Sequence, residues 1–183
     1  MRPREFTGAQ REVFEWAITK GWEPDSSRTF GDECALLHSE VSEAVEAFRI
    51  AKFDDQTSLV SNGSLPKPEG VGSEFADVLV RLLHYSHGRG LKIDTQYPLP
   101  GCKNTNNDKL SFGDQCSIMH ACITDAFRSY QAGNIQQVDV FLSRLYARLR
   151  YCCNLYGYDL GFEYRRKMDY NRTRAFRHGN RAM

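Results

Sequence analysis

The 183-residue sequence has no CxxC pair, no run of about 18 apolar residues and no excess of charge of either sign. The missing CxxC argues against a zinc ribbon or a dithiol redox centre. The six cysteines (Cys34, Cys102, Cys116, Cys122, Cys152 and Cys153) have helix-like neighbours, so they read as reduced, mostly buried thiols. Cys116, His120 and Cys122 lack the paired spacing that would make them zinc ligands. Without a long apolar run, no membrane-spanning helix is expected. The opening Met1-Arg-Pro-Arg-Glu-Phe6 has no apolar core of a secretory leader, which points to a cytoplasmic protein. A net charge of +1 sets no overall bias toward nucleic acid or a membrane surface, so any such bias must lie in local distribution. Internal repeats, low-complexity tracts and clear strand signals are absent as well.

What the chain does have is helical periodicity. A charged fraction of 26% and an apolar fraction of 41% suit one globular domain over residues 1–183. Amphipathic segments are expected at 7–20 (stopped by Gly21), 32–52, 73–88, 115–131, 135–156 and 159–176. Loops near 53–72 and 94–113 are rich in Asp, Asn, Ser, Gly and Pro and interrupt them. The expected fold is all-α, a bundle of antiparallel helices. The 53–72 loop, lying between two acidic motifs, is a candidate flap.

Those motifs are Glu40-Val-Ser-Glu43 and Glu74-Phe-Ala-Asp77. With Glu40 at the origin of a helical wheel, Glu43 lies at about −60°, and Leu37, Val41, Ala44, Val45 and Phe48 fill the arc from about 40° to 140°. The pair therefore sits in and beside the packing face, whereas Glu46 falls away from it as a solvated glutamate should. In the second segment Glu74, Asp77, Arg81 and His84 form one stripe on a helix otherwise apolar nearly all round. Burying ionised carboxylates without counter-charge is costly. Four facing each other call for a cation, and hard oxygen donors suit Mg²⁺ or Mn²⁺. The alternative is a structural salt-bridge network using Arg81 and Arg49.

The C-terminal segment is basic. Lys167, Asn171 and Arg174 fall within about 60° of one another on a wheel, and an ammonium, an amide and a guanidinium in line are donors for a polyphosphate. The competing reading is a solvated basic tail that touches nucleic acid nonspecifically. His38, His84 and His178 read as packing or hydrogen-bonding residues rather than metal ligands. Trp16 and Tyr85 are candidates to stack on a base, although core packing is the commoner fate of such aromatics.

At these residues the chain resembles the MazG-like, all-α nucleoside triphosphate pyrophosphohydrolases. The resemblance rests on Leu36-Leu-His-Ser-Glu-Val-Ser-Glu-Ala-Val-Glu46, on Gly72-Ser-Glu-Phe-Ala-Asp-Val-Leu-Val-Arg81 and on Lys167-Met-Asp-Tyr-Asn-Arg-Thr-Arg-Ala-Phe-Arg-His-Gly179. The ending is similar to that of phage members, among them the subgroup called MazZ, which trims purine deoxynucleotides and dGTP in particular. The resemblance implies Mg²⁺ ligation by Glu40, Glu43, Glu74 and Asp77, with two or three ions per site. It also implies nucleotide contacts by Lys167, Asn171 and Arg174, a dimeric or tetrameric assembly, and cleavage between the α- and β-phosphates. A phage member would act in the host cytoplasm. Two departures stand out: many relatives are acidic where His84 stands, and the interval from Glu43 to Glu74 is long. In the expected mechanism metal lowers the pKa of a water, Glu43 takes its proton, and Lys167 and Arg174 stabilise the departing pyrophosphate. Of two rivals, a noncatalytic helical module binding nucleic acid through its basic end leaves both acidic motifs unexplained. A di-iron carboxylate bundle needs Glu-x-x-His pairs that neither Glu40 nor Glu74 forms.

Overall fold

Polar residues that can cap a helix precede most of the apolar stripes, and the chain folds accordingly. The structure is a computed structural model that describes residues 3–22, 28–54, 57–58, 65–99 and 110–176. Its helices are α1 (Pro3–Thr19), α2 (Phe30–Ala51), α3 (Val71–Gly88), α4 (Phe112–Gln131), α5 (Ile135–Leu155) and α6 (Leu160–Thr173). Thr29 Oγ1 accepts from the Asp32 N–H at 3.1 Å, and Asp32 Oδ2 accepts from the Thr29 N–H at 2.8 Å. Ser111 and Asp114 close the same reciprocal box on α4, and Asn134 and Asp159 cap α5 and α6. Each cap is worth about 1 kcal/mol. The boxes explain why α2 and α4 begin earlier than the periodicity suggested: Asp32 and Asp114 are the third residues of their helices, not the first. Arginines continue the basic sequence past Thr173, but α6 ends there, short of the expected 176.

α3 is the axis of the bundle. It packs against α1, α2, α5 and α6, and residues on every side of it (Val71, Phe75, Val78, Leu79, Leu82, Leu83) are fully buried. α2 runs antiparallel to α3, with Glu33 meeting Arg89 at 2.5 Å and Glu40 meeting Arg81. α4 runs antiparallel to α2, so Phe30 stacks near Tyr130 at 4.6 Å and Phe48 near Phe112 at 4.5 Å. Midway between these contacts the Nδ1 atoms of His38 and His120 lie 2.8 Å apart, a hydrogen bond between helices rather than a metal site. Cys116 and Cys122 are buried free thiols. None of the helices, among the described residues, is long and apolar enough to cross a membrane.

The 53–72 segment is not wholly irregular. β1 (Thr57–Ser58) and β2 (Lys67–Pro68) pair antiparallel, Thr57 opposite Pro68 and Ser58 opposite Lys67. Strands of two residues are too short to leave an alternating pattern, so no periodicity could reveal them. Gly70, at φ +99°, turns the chain from β2 into α3, and that backbone conformation strains any residue with a Cβ. Ser73 Oγ then donates to the Pro68 carbonyl at 2.9 Å, tying β2 to the first turn of α3. At the other end Gly21 (φ +77°) stops α1 and lies so close to the Phe176 ring that a Cβ would collide with it. Residues 100–109 of the second long loop and 177–183, which include His178, lie outside the described residues.

Candidate metal centre

Antiparallel packing of α2 on α3 brings the two acidic motifs face to face. Glu40, Glu74 and Asp77 each offer a carboxylate oxygen, and those oxygens lie within 4.8 Å of one another. Glu40 and Glu74 are buried and Asp77 is half-buried. Three buried or half-buried carboxylates at this spacing could hold a metal ion. Glu43 stands on the exposed rim of the same cavity, where Ser39 Oγ donates to it at 3.0 Å. Glu46, the internal control, pairs instead with Arg49 at 2.8 Å on the exposed surface.

Two fixed cations enter the cluster. Arg81, one turn beyond Asp77, binds Glu40 and donates to Tyr85 Oη at 3.2 Å. Lys167 comes from α6, with Nζ at 2.5 Å from Asp77 Oδ2 and 3.0 Å from Ser73 Oγ. The salt-bridge alternative is thus realised in part, through Arg81 but not Arg49. Arg81 and Lys167 each pair with one of the three clustered carboxylates, Glu40 and Asp77, and leave Glu74 without an ion-pair partner among the described residues. The carboxylate of Glu74 forms no hydrogen bond there either. Burial, and then the charge of Asp77, push its carboxyl up to about 7 against the opposing pull of Lys167. Burial also raises Glu40, although Arg81 opposes the shift. Burial works against the charge of Lys167, but Asp77 and Glu74 outweigh it and hold the ammonium protonated.

The cluster opens into a cavity of about 400 Å³. Lys167 and Asn171 line it from one face of α6, Arg174 joins them from the extended backbone just past that helix rather than from the expected helical face, and Trp16, Val13 and Ala17 of α1 form another wall. His84 lies among them, pushed down to about 4 by burial and then by Arg28 and Arg81, so its imidazole is neutral at pH 7. Tyr85 departs from expectation. It is only 3% exposed, it packs in the core and it binds Arg81, so it is not part of the cavity wall. A helical wheel assigns it a direction but no depth, and the residue next to the acidic stripe turned inward.

Sequence reasoning did not single out Trp22, Arg28 or Lys67 as site residues, yet all three line the cavity. Arg28 sits 5.9 Å from the centre of the Trp22 ring. All three lie outside helices, where no periodicity points at a face; the pair Gly21-Trp22 directly after a helix stop was the one available signal. Trp16 Nε1 and Asn171 Oδ1 are buried without a hydrogen-bond partner. One is a donor and the other an acceptor, and each costs about 1–3 kcal/mol left unpaired.

Comparison with protein-family models, curated proteins and solved structures returns no match for this chain.

Proposed function

We propose that the chain is a metal-dependent nucleoside triphosphate pyrophosphohydrolase, converting a purine deoxynucleoside triphosphate such as dGTP to the monophosphate and pyrophosphate. The observation that carries this reading is the meeting in one cavity of a carboxylate cluster, a Lys-Asn-Arg wall and an indole. Glu40, Glu74 and Asp77, with Glu43 on the rim, fit Mg²⁺ or Mn²⁺ because all four are hard oxygen donors and three of them offer oxygens within 4.8 Å of one another. Bound there, divalent ions would neutralise the polyphosphate and lower the pKa of a water.

The chain's own residues supply the rest. Glu43, on the rim and open to solvent, is placed to take a proton from water beside the α-phosphorus. Lys167 and Arg174 offset charge on the departing pyrophosphate. Asn171 brings an amide whose carbonyl oxygen is still unpaired. Trp16 and Trp22 offer flat surfaces to a base, and a two-ring base gains more from stacking, by about 1 kcal/mol, than a one-ring base. The neutral imidazole of His84 can donate or accept at the base edge.

The nucleic-acid reading draws less support, because Arg166 pairs with Glu163 at 2.7 Å, and Arg172 pairs with Asp169 at 2.6 Å and with Glu12. Much of the basic face of α6 is spent on this chain's own carboxylates. Incubation with each NTP and dNTP in Mg²⁺, with both phosphate products identified, tests the proposal. Monophosphate and pyrophosphate in equal amounts are expected. Stepwise orthophosphate, or intact triphosphate released from the nucleoside, would mean a different reaction.

A further inference from the structure

We infer that Lys67, carried into the cavity by β2, grips the terminal phosphate of the bound nucleotide and so separates triphosphates from shorter nucleotides. This rests on the proposed reading of the cavity as a nucleoside triphosphate site.

The argument is one of order along α3. α1 packs against the C-terminal half of that helix: Gln10 Nε2 donates to Ser86 Oγ at 2.8 Å, and the Phe14 and His84 rings are 5.9 Å apart. The aromatic end of the cavity, with Trp16 and His84, therefore lies toward the C-terminus of α3. Glu74 sits ten residues before His84, about 15 Å along the axis at 1.5 Å per residue. Beyond Glu74 the helix begins, and just before it come Gly70, Pro68 and Lys67. A nucleotide with its base against the indole and its α-phosphate at the carboxylates must point its outer phosphates past the start of α3, toward β2.

β2 is held in that place. The Pro68 carbonyl accepts from Ser73 Oγ at 2.9 Å, and Ser73 Oγ in turn accepts from Lys167 Nζ at 3.0 Å. β1 pairs with β2 on its other side, Ser58 opposite Lys67. Lys67 is thus fixed in register beside Lys167, and both line the cavity. Their states differ. Lys167 is 4% exposed and tied to Asp77, so drawing it outward breaks a buried ion pair. The ion pair of Lys67 is with Glu69 at 3.2 Å, and both side chains are more than 40% exposed. Such a pair is weak in water. A phosphate carrying more charge than one carboxylate takes its place readily. Of the two lysines, Lys67 is therefore the one that an arriving terminal phosphate recruits at lower cost.

The test is calorimetric titration of the full chain, wild type and Lys67→Ala, in Mg²⁺ with the α,β-methylene analogue of dGTP and separately with dGMP. Losing one charge-assisted contact should weaken the triphosphate analogue about tenfold in Lys67→Ala while dGMP affinity stays within about twofold, and Lys67→Arg should recover most of the loss. The exposed position makes misfolding of these variants an unneeded concern, and an unchanged melting temperature checks it. Equal affinity of wild type and Lys67→Ala for the analogue overturns the inference. So does a parallel loss for dGMP, which would place Lys67 elsewhere on the ligand. If wild type binds neither compound, the nucleotide reading of the cavity falls, and this inference falls with it.

Discussion

Replacing Glu74 by Gln should stabilise the metal-free protein above neutral pH, and by progressively less as pH falls toward 4. Glu74 is 9% exposed, and its carboxyl is pushed from an ordinary 4.5 up to about 7 by burial and the neighbouring Asp77. At about 1.4 kcal/mol per pKa unit, ionising it within the fold costs about 3 kcal/mol at pH 8. The sign follows from a folded value above the unfolded one: the stability is fully present below about pH 4.5 and is lost as pH rises through about 7. A glutamine at this position cannot ionise, so it escapes the loss, and the value of about 7 already includes the attraction of Lys167. The expected gain at pH 8 is therefore about 3 kcal/mol. For a chain of this length that corresponds to a rise in Tm of about 6–12 °C at pH 8, shrinking to about a quarter of that at pH 5 and to almost nothing at pH 4. The assay is thermal unfolding in a chelator from pH 4 to 8, wild type beside Glu74→Gln. Saturating Mn²⁺ should then nearly close the gap, since a ligand at about a hundredfold its Kd adds about 2.7 kcal/mol to the protein that binds it. Parallel pH curves for the two proteins in chelator, or a less stable variant at pH 8, would refute the reasoning.

Asp77→Ala and Glu40→Ala should each abolish hydrolysis and weaken Mn²⁺ binding, with the helical circular dichroism retained; turnover near the wild-type rate in either variant removes the metal assignment. Ranking kcat/KM over the four dNTPs should put dGTP first, with a margin of only several-fold if stacking of about 1 kcal/mol is its sole source. A dCTP or dTTP preference of about tenfold or more would sink the purine reading and leave the pyrophosphohydrolase proposal standing.

The parts of the site legible in the sequence are those that helix geometry converts from spacing into direction. Glu40, Glu74 and Asp77 meet because i, i+3 positions on two apolar faces must meet when those faces pack, and Glu46 shows that a glutamate off the face goes to solvent. Lys167 and Asn171 share a wall for the same reason, whereas Arg174 reaches it from extended backbone past the end of α6. Depth was not legible: Glu43 and Glu40 look alike on a wheel, yet one is exposed and the other buried, because only α2 packed on α3 decides where the border falls. Tyr85 failed on the same ground. Trp22, Arg28 and Lys67 were out of reach for a different cause, since they belong to turns and a two-residue strand, whose positions depend on tertiary contacts such as Ser73 to Pro68.

The carboxylates of the cluster are unequal, and the inequality follows from which helices they join. Arg81 on Glu40 ties α3 to α2, and Lys167 on Asp77 ties α6 to α3. Removing either carboxylate leaves a cation without its partner, a cost in stability as well as the loss of a ligand. Ser39 on Glu43 joins neighbours on one helix. Glu74 joins nothing: it is buried, unpaired among the described residues, and crowded by Asp77. A fold that carries such a group through neutral pH sacrifices stability at that position for a carboxylate that only a bound cation or proton can satisfy. Substitutions at Glu40 and Asp77 therefore mix two effects, whereas Glu74→Gln isolates the one that belongs to the ion.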